Sequence, residues 1–419
     1  MKFEKISVIG LGYIGLPPAA MFASCGASVI GVDVSPDAVE TINRGDIHIV
    51  EPGLDDLVRR CVEEQKLRAT YEPEPADAFL IAVPTPFKTG KSLTPEPDLS
   101  YIASACEAIA PVLQKGNLIV LESTSPVGTT EQVCKWLSEK RPDLRFPNDN
   151  ELEADVFVAH CPERVLPGQV LHELVHNDRI VGGITARCSE AATLLYKMVV
   201  KSECHVTNAR TAEMAKLTEN ASRDVQIAFA NELSMICSDQ NINVWDLIAL
   251  ANKHPRVNIL QPGPGVGGHC IAIDPWFIVH SVPQHAKLIK SAREINEFKT
   301  KWVIEQINKT IEQSLVTCPD KLSDDVTIAV YGLAFKPNID DLRESPAIKV
   351  AEALSENDQY SILFIEPNIN ELPVKLQKHR LVDQEFARQN ADIHIKLVAH
   401  REFEDLVFAD SDLNLTFVQ

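Results

Sequence analysis

The chemistry in this sequence starts from a thiol set among glycines. The run Gly263-Pro264-Gly265-Val266-Gly267-Gly268-His269-Cys270 places four glycines just before Cys270, and Ile273-Asp274-Pro275 follows. Glycine permits close backbone approach and leaves N–H groups exposed. Those are the requirements of an anion or oxyanion site beside a thiol. The alternative for Cys270 is a small structural core residue. A second reactive set lies on a helix expected over about 211–239, a stretch without Gly or Pro. There Glu213, Lys216, Asn220 and Arg223 recur at spacings of 3, 4 and 3, which puts them on one face. Met214, Leu217, Ala221, Val225 and Ala228 fall on the opposite, apolar side. A solvated stripe of charge pairs is the plain alternative reading of such a face. A third set, Pro162-Glu163-Arg164-Val165-Leu166-Pro167-Gly168, directly follows a strand expected at 156–159.

The N-terminal end carries a different signal. Gly10-Leu11-Gly12-Tyr13-Ile14-Gly15 stands between a strand (Ile6, Val8, Ile9) and a helix at 19–24, and a second strand at 29–32 ends on Asp33. In that context Gly10 serves a tight turn, Gly12 a close approach of diphosphate to backbone, and Gly15 the packing of helix on strand. The helix N-terminus then faces the phosphates. A carboxylate at Asp33 accepts hydrogen bonds from a ribose 2′-hydroxyl and repels a 2′-phosphate. Val34 and Ser35 supply no arginine to reverse that choice, so NAD is expected rather than NADP. A glycine-rich turn that binds no dinucleotide is the alternative. Two further turns, Val83-Pro84-Thr85-Pro86 and Glu122-Ser123-Thr124-Ser125-Pro126-Val127-Gly128, each follow an apolar strand, the position where ligands bind in doubly wound sheets.

The elements that must position these groups alternate. Short apolar runs at 78–83, 118–121 and 156–159 with helices between them predict a parallel, doubly wound sheet. Ser35-Pro36-Asp37 reads as a helix start with an N-cap, a first-turn proline and an acid. The middle is helical, with a second long helix at about 284–315, and 318–325 reads as a linker. A strand at 326–334, a helix at 346–354 and a strand at 361–365 then open a second α/β unit. The fold class expected is therefore α/β, with two Rossmann-like doubly wound domains joined by a central helical domain. The boundaries expected are 1–205, 206–318 and 319–419.

Composition limits the partners. The 419 residues carry a formal net charge of −19 with only 6% aromatics. That excludes a general nucleic-acid surface, which needs clustered cations or stacking aromatics. The other nine cysteines are Cys25, Cys61, Cys106, Cys134, Cys161, Cys188, Cys204, Cys237 and Cys318. They form no CxxC pair and sit in apolar or helical surroundings, so packing, reduced thiols and no metal site are expected. No apolar stretch approaches the roughly 20 residues that span a bilayer, and a cytoplasmic location is expected.

Taken in order, the motifs at 10–15, 83–86, 123–128, 162–164, 213–220, 263–270 and 332–346 resemble those of the UDP-glucose/GDP-mannose dehydrogenase family over nearly the whole chain. His254-Pro255-Arg256-Val257-Asn258 and Gly267-Gly268-His269-Cys270 resemble the branch acting on UDP-N-acetylhexosamines. The resemblance implies oxidation of a sugar C6 alcohol to a carboxylate with two NAD per substrate and no release of aldehyde. The substrate implied is UDP-N-acetyl-D-mannosamine. Its uronate product serves bacterial surface polysaccharides such as enterobacterial common antigen. Another UDP-sugar (UDP-GlcNAc, UDP-GalNAc or UDP-glucose), a two-electron hydroxyacid oxidation, and an inactive nucleotide-sugar binder stay open as alternatives.

Residue by residue, the resemblance makes Cys270 the carrier of a thiohemiacetal and then a thioester. Lys216 and Asn220 would stabilise oxyanions, with Lys216 also acting as acid/base. Glu163 would be the base of thioester hydrolysis, and Thr124 and Asp274 would hold the water and its protons. NAD contacts are implied for Gly10, Gly12, Tyr13, Ile14, Gly15, Asp33, Thr85, Thr124, Thr130 and Arg343. By spacing alone, Arg343 could instead pair with Asp340 or Asp341. UDP-sugar contacts are implied for Arg164, Val165, Lys216, Asn220, Arg223, His254, Arg256, Gly267, Phe335 and Lys336. Arg256 would reach the site of the partner in a homodimer whose central helices bury their apolar side. Two departures stand out. Pro18 replaces a hydroxyl residue usual in the family. The tail from 390 lacks the usual terminal acid-then-base pattern and puts polar residues into a strand at 393–397.

Overall fold

Runs of β-branched and leucine residues that are buried on both sides become the inner strands of two sheets. The structure, a computed structural model, describes residues 2–88, 94–147, 154–166, 168–317, 326–406 and 413–418, with backbone alone at 314–317 and 413. It divides into two compact units, Met1–Thr218 and Glu219–Gln419. The first holds β1 (Lys5–Ile9), β2 (Ser28–Val32), β3 (Leu67–Thr70), β4 (Ala78–Ile81), β5 (Leu118–Leu121), β6 (Phe157–His160), β7 (Arg179–Gly183) and β8 (Cys204–Asn208). They form one sheet in the order β3-β2-β1-β4-β5-β6-β7-β8. All neighbours are parallel except β6 and β7. The alternation of side chains along a strand explains why both faces are covered. Val8, Leu80 and Val120 join one apolar cluster with the helices Leu16–Ser24 and Leu54–Glu63. Their neighbours Ile9, Ile81 and Leu121 join another with the helices Ser100–Ile109 and Thr129–Lys140.

The first helix starts earlier than the sequence suggests. It begins at Leu16 and takes both Pro17 and Pro18 into its first turn. Those positions have no intrahelical acceptor for an N–H, so two prolines cost no hydrogen bond there. The next helix, Pro36–Asn43, is capped as expected: the Ser35 hydroxyl accepts from the Ala38 N–H at 3.3 Å.

The second unit contains the helices Val244–Ala251, Asp274–Ser281 and Lys287–Thr317 and a five-stranded parallel sheet. Its strands are β9 (Thr327–Tyr331), β10 (Ser361–Ile365), β11 (Arg380–Leu381), β12 (Ile393–Lys396) and β13 (Leu413–Thr416), in the order β11-β10-β9-β12-β13. Relabelled from one, this is the same 3-2-1-4-5 order that opens the first sheet. The linker expected at 318–325, Cys318 included, lies outside the described residues. So does Pro167, from the third reactive set.

On the long helix, Ala209–Asp239, Leu217, Ala221 and Ala228 are buried, while Met214 is exposed. Polar Glu213, Asp224 and Asn231 are buried on that same helix. In the tail, β13 pairs with β12 from Ile393–Leu413 to Lys396–Thr416. The polar residue inside β12 has a partner too, since buried His394 meets the Tyr331 hydroxyl at 3.0 Å through Nδ1.

Candidate active site

In the first unit the glycine-rich turn leaves β1 at the point where strand order reverses, between β1 and β4. Gly10 has φ +92°, and a Cβ there would lie 2.7 Å from the Ala82 carbonyl oxygen. A Cβ on Gly15 would collide with the Gly10 carbonyl oxygen and touch Ala82. On Gly12 it would meet nothing within 4 Å. The turn is thus closed behind Gly10 and Gly15 and open at Gly12, which suits an anionic group laid against the backbone. Tyr13 and Ile14 are exposed on the same turn. The Asp33 carboxylate accepts from the Leu11 N–H at 2.8 Å and the Ser35 N–H at 2.9 Å, fixing the turn to the end of β2. Each oxygen keeps a second lone pair for a ribose hydroxyl.

The turns after β4 and β5 are tied together. Thr85 donates its hydroxyl to the Thr124 carbonyl at 2.6 Å, and Ser123 donates to the Val83 carbonyl at 2.7 Å. Behind them, Glu213 does not belong to a solvated stripe. Its carboxylate is buried and accepts from the Gly128 N–H (2.6 Å), the Thr130 N–H (2.7 Å) and the Thr130 hydroxyl (2.6 Å). A negative group satisfies the orphan donors at the start of the helix Thr129–Lys140. Burial nonetheless raises the Glu213 carboxyl above its ordinary value, against those hydrogen bonds. Lys216 is half-buried one turn further along.

After β6, Glu163 is buried. It accepts from Arg179 Nη1 at 2.9 Å and from the Arg164 N–H at 2.7 Å. Arg164 and Val165 are half-buried, and Arg164 also donates to the Asp178 carbonyl at 3.2 Å.

In the second unit, Asn220 donates its amide to Asp274 Oδ2 at 2.5 Å. Asp274 opens the helix Asp274–Ser281, and its N–H donates to the Cys270 carbonyl at 2.9 Å. The pair is therefore held against the backbone of the thiol residue itself. Cys270 is exposed, whereas burial pushes Cys106 and Cys161 up to about 12. The thiolate is the nucleophilic form, so those buried thiols are inert at neutral pH.

The glycines before Cys270 answer to specific neighbours. A Cβ on Gly267 would stand 2.8 Å from Phe335 Cβ and 2.6 Å from the Glu344 carbonyl oxygen. Gly268, at φ +80°, lies under the Phe335 ring, and its N–H donates to the Arg343 carbonyl at 3.2 Å. A buried chain of polar groups holds the other end of this loop. Asn231 accepts from the Gly263 N–H at 2.9 Å and donates to Asn296 at 2.8 Å. Asn296 in turn donates to Asp224 at 2.8 Å, and Arg293 donates to Asp224 at 2.7 Å.

Phe335 thus stands against the cysteine loop, and its neighbour Lys336 is half-buried. Arg343 takes the intradomain partner its spacing allowed, a bidentate contact to Asp341 at 2.6–2.8 Å. Arg223, His254 and Arg256 are exposed, and the Arg256 N–H donates to His254 Nδ1 at 3.3 Å. Among the described residues no group of three or more His, Cys, Asp or Glu could hold a metal ion. No described helix is long and apolar enough to cross a membrane.

Sequence reasoning missed Arg179, Tyr196, the inward role of Glu213, and the chain from Asp224 to Asn231. The only signal available was polar residues at apolar positions of a helix or strand.

Comparison with known proteins matches this layout. Residues 4–200, 210–298 and 329–415 match the NAD binding, central and UDP binding domains of the UDP-glucose/GDP-mannose dehydrogenase family. An NDP-N-acetyl-D-galactosaminuronic acid dehydrogenase of Ralstonia nicotianae is 58% identical over 406 residues, 97% of this chain and 93% of that protein. A UDP-N-acetyl-D-mannosamine dehydrogenase of Escherichia coli is 58% identical over 405 residues, 96% of this chain and 95% of that protein. The solved structure of a UDP-N-acetyl-mannosamine dehydrogenase from Staphylococcus aureus superposes with a TM-score of 0.84 at 39% identity, covering 99% of this chain and 98% of that one. With three domain matches in order and relatives aligned end to end, the chain belongs to the UDP-glucose/GDP-mannose dehydrogenase family, NAD-dependent oxidoreductases of nucleotide sugars.

Proposed function

We propose that the protein oxidises the C6 alcohol of UDP-N-acetyl-D-mannosamine to the carboxylate, in two steps joined by a covalent link to Cys270. The observation that carries this reading is the exposed Cys270 with the Asn220–Asp274 pair held against its backbone. The residues fit the cofactor: the open face of Gly12 takes the diphosphate and Asp33 a ribose hydroxyl, beside the exposed Tyr13 and Ile14; Thr85, Thr124 and Thr130 are read as further NAD contacts. NAD, when bound, would supply the hydride acceptor, a fresh molecule for each of the two oxidations.

The chain's own groups do the rest. Lys216 takes the hydroxyl proton as the alcohol becomes an aldehyde. The Cys270 thiolate adds to the aldehyde carbon, and the resulting thiohemiacetal oxygen is stabilised by Lys216 and Asn220. Loss of a second hydride from that carbon leaves a thioester. Glu163 removes a proton from water, which adds to the thioester carbonyl and releases the acid and the thiol. Thr124 and Asp274 hold that water. A covalent intermediate keeps the aldehyde of this scheme on the enzyme between the two oxidations.

Arg164, Val165, Arg223, His254, Gly267, Phe335 and Lys336 are read as the UDP-sugar contacts, with Arg256 serving the partner's site in a homodimer. The division 1–205, 206–318 and 319–419 assigns cofactor, reacting groups and UDP to successive domains. A cytoplasmic enzyme of surface-polysaccharide synthesis, of the enterobacterial common antigen type, fits these substrates. A second reading, UDP-N-acetyl-D-galactosamine, is favoured by the equal identity to the Ralstonia nicotianae relative.

Purified protein given UDP-ManNAc, UDP-GalNAc, UDP-GlcNAc or UDP-glucose in separate reactions with NAD discriminates these readings. The highest kcat/KM is expected with UDP-ManNAc. A higher value with UDP-GalNAc would transfer the assignment to that sugar.

A further inference from the structure

The two sheets repeat one device and put it to different use. In the first unit the Gly10 N–H donates to the Val32 carbonyl at 2.8 Å, and Asp33, the residue after β2, accepts one hydrogen bond on each carboxylate oxygen. In the second unit the Gly332 N–H donates to the Ile365 carbonyl at 2.8 Å, and Glu366 is the residue after β10. Glu366 is buried, and its Oε2 accepts from the Leu333 N–H (2.7 Å), the Ala334 N–H (3.0 Å) and His400 Nε2 (3.0 Å). Its Oε1 accepts from the N–H and the side-chain amide of Asn368, both at 3.2 Å. Those donors outnumber the roughly four lone-pair positions of a carboxylate, so none remains for a ligand hydroxyl. His400, also buried, reaches the far end of the same turn. The Asn338 N–H donates to its Nδ1 at 3.0 Å, with the Asn368 amide 3.1 Å from the same atom. A backbone N–H can only donate, so Nδ1 carries no proton and Nε2–H donates to Glu366. Asn338 sits at φ +61°, and its Oδ1 accepts from the Arg401 N–H at 2.9 Å. Left-handed backbone at a residue other than glycine persists where its surroundings hold it, and it clusters at functional sites. Between the two held ends stand Phe335, which lies against Gly267 and Gly268 of the cysteine loop, and Lys336.

We propose that Glu366 and His400 are positioning residues for the turn 333–338: together they fix both of its ends and so set where Phe335 and Lys336 meet the nucleotide sugar. This rests on the reading of Phe335 and Lys336 as UDP-sugar contacts. Both residues act through backbone N–H groups of the turn. Glu366 holds Leu333 and Ala334 at its start, His400 holds Asn338 at its end, and the bond between the two side chains ties one hold to the other. The carboxylate that Asp33 leaves open in the first unit is thus turned inward in the second, onto its own turn. Loss of either hold frees one end of the turn and weakens the nucleotide sugar, while the glycine-rich turn of the first unit is untouched. A contact made equally in the ground and transition states changes binding and leaves kcat nearly unchanged.

The test measures Kd for UDP-ManNAc and for NAD by calorimetric titration, and kcat with both saturating, well below each variant's melting temperature. Glu366→Asp withdraws the carboxylate from the turn by one methylene. His400→Gln keeps a donor toward Glu366 but loses the acceptor for the Asn338 N–H. His400→Asn keeps that acceptor, because its Oδ1 falls where Nδ1 stood. In Glu366→Asp and His400→Gln, Kd for UDP-ManNAc is expected to rise about three- to tenfold, as for one lost hydrogen bond, with Kd for NAD and kcat within about twofold. His400→Asn is expected to recover most of that loss, which a general loosening of the fold would not produce. A Kd in His400→Gln equal to the wild type, or equal to that of His400→Asn, overturns the proposal. Should Glu366→Asp fail to fold, the two His400 variants decide. Lys336→Met separates the two claims. If it weakens UDP-ManNAc while the Glu366 and His400 variants bind like the wild type, the proposal alone is wrong. If Lys336→Met binds like the wild type, or the wild type does not bind UDP-ManNAc, the reading of the turn as a substrate contact fails as well.

Discussion

The glycine-rich turn makes a prediction in which two neighbouring substitutions separate folding from binding. In Gly15→Ala the added methyl collides with the Gly10 carbonyl oxygen, a backbone atom, and also touches Ala82. The helix Leu16–Ser24 must then shift against β1 and β4. Overpacking of this kind costs about 1–3 kcal/mol. For a unit of some 200 residues that lowers the melting temperature by about 2–4 °C per kcal/mol. In Gly12→Ala the methyl meets nothing within 4 Å. Stability should stay within about 0.5 kcal/mol of the wild type, as for an unremarkable surface change. The same methyl stands where the diphosphate approaches, so NAD affinity should fall at least about tenfold, or 1.4 kcal/mol. Thermal unfolding without cofactor and calorimetric titration with NAD read the two effects independently. Gly12→Ala binding NAD like the wild type, or melting as early as Gly15→Ala, would refute the assignment of the open face.

Two further outcomes follow from buried charge. A Glu122 carboxyl lifted from 4.5 to about 7 in the folded state favours its protonated form there. Its stabilising effect is fully present below about pH 4.5 and is lost as pH rises through about 7. That amounts to about 3 kcal/mol at 1.36 kcal/mol per tenfold change in proton affinity. Urea unfolding of the wild type should therefore weaken more between pH 5 and pH 8 than that of Glu122→Gln, and equal pH dependence would contradict it. Asp224→Ala leaves Arg293, 4% exposed, with its buried partner gone. Unfolding midpoints should drop by the equivalent of about 3–5 kcal/mol, whereas a loss below 1 kcal/mol would mean that Glu297, 3.6 Å from the guanidinium, takes over the charge.

The frame was legible because its signals are local. β4 and β5 are unbroken apolar runs buried on both faces, and Ser35 announces its helix by residue type alone. The glycines of the first turn could be given separate duties from spacing, and the space around each matches that division. Partnerships across the fold were not legible. Asn220 meets Asp274 across 54 positions, and Glu213 reaches Thr130 across 83. Helical periodicity correctly put Glu213 near Lys216 in angle, but it cannot say that the first turn of the Thr129–Lys140 helix needs a buried acceptor. Tyr196 and Arg179 look like core and strand-edge residues in sequence. Only the fold brings them to Glu122 and Glu163. The tail misled in the opposite direction: His394 looks foreign to a strand until Tyr331 is seen beside it.

The central claim is that Cys270 links two oxidations at one carbon, and counting hydrides tests it most directly. With limiting UDP-N-acetyl-D-mannosamine and excess NAD, the wild type should form two NADH per sugar and the uronate as sole product. Cys270→Ser should bind the nucleotide sugar but form no uronate. One NADH per sugar in the wild type, or two in Cys270→Ser, would contradict the account.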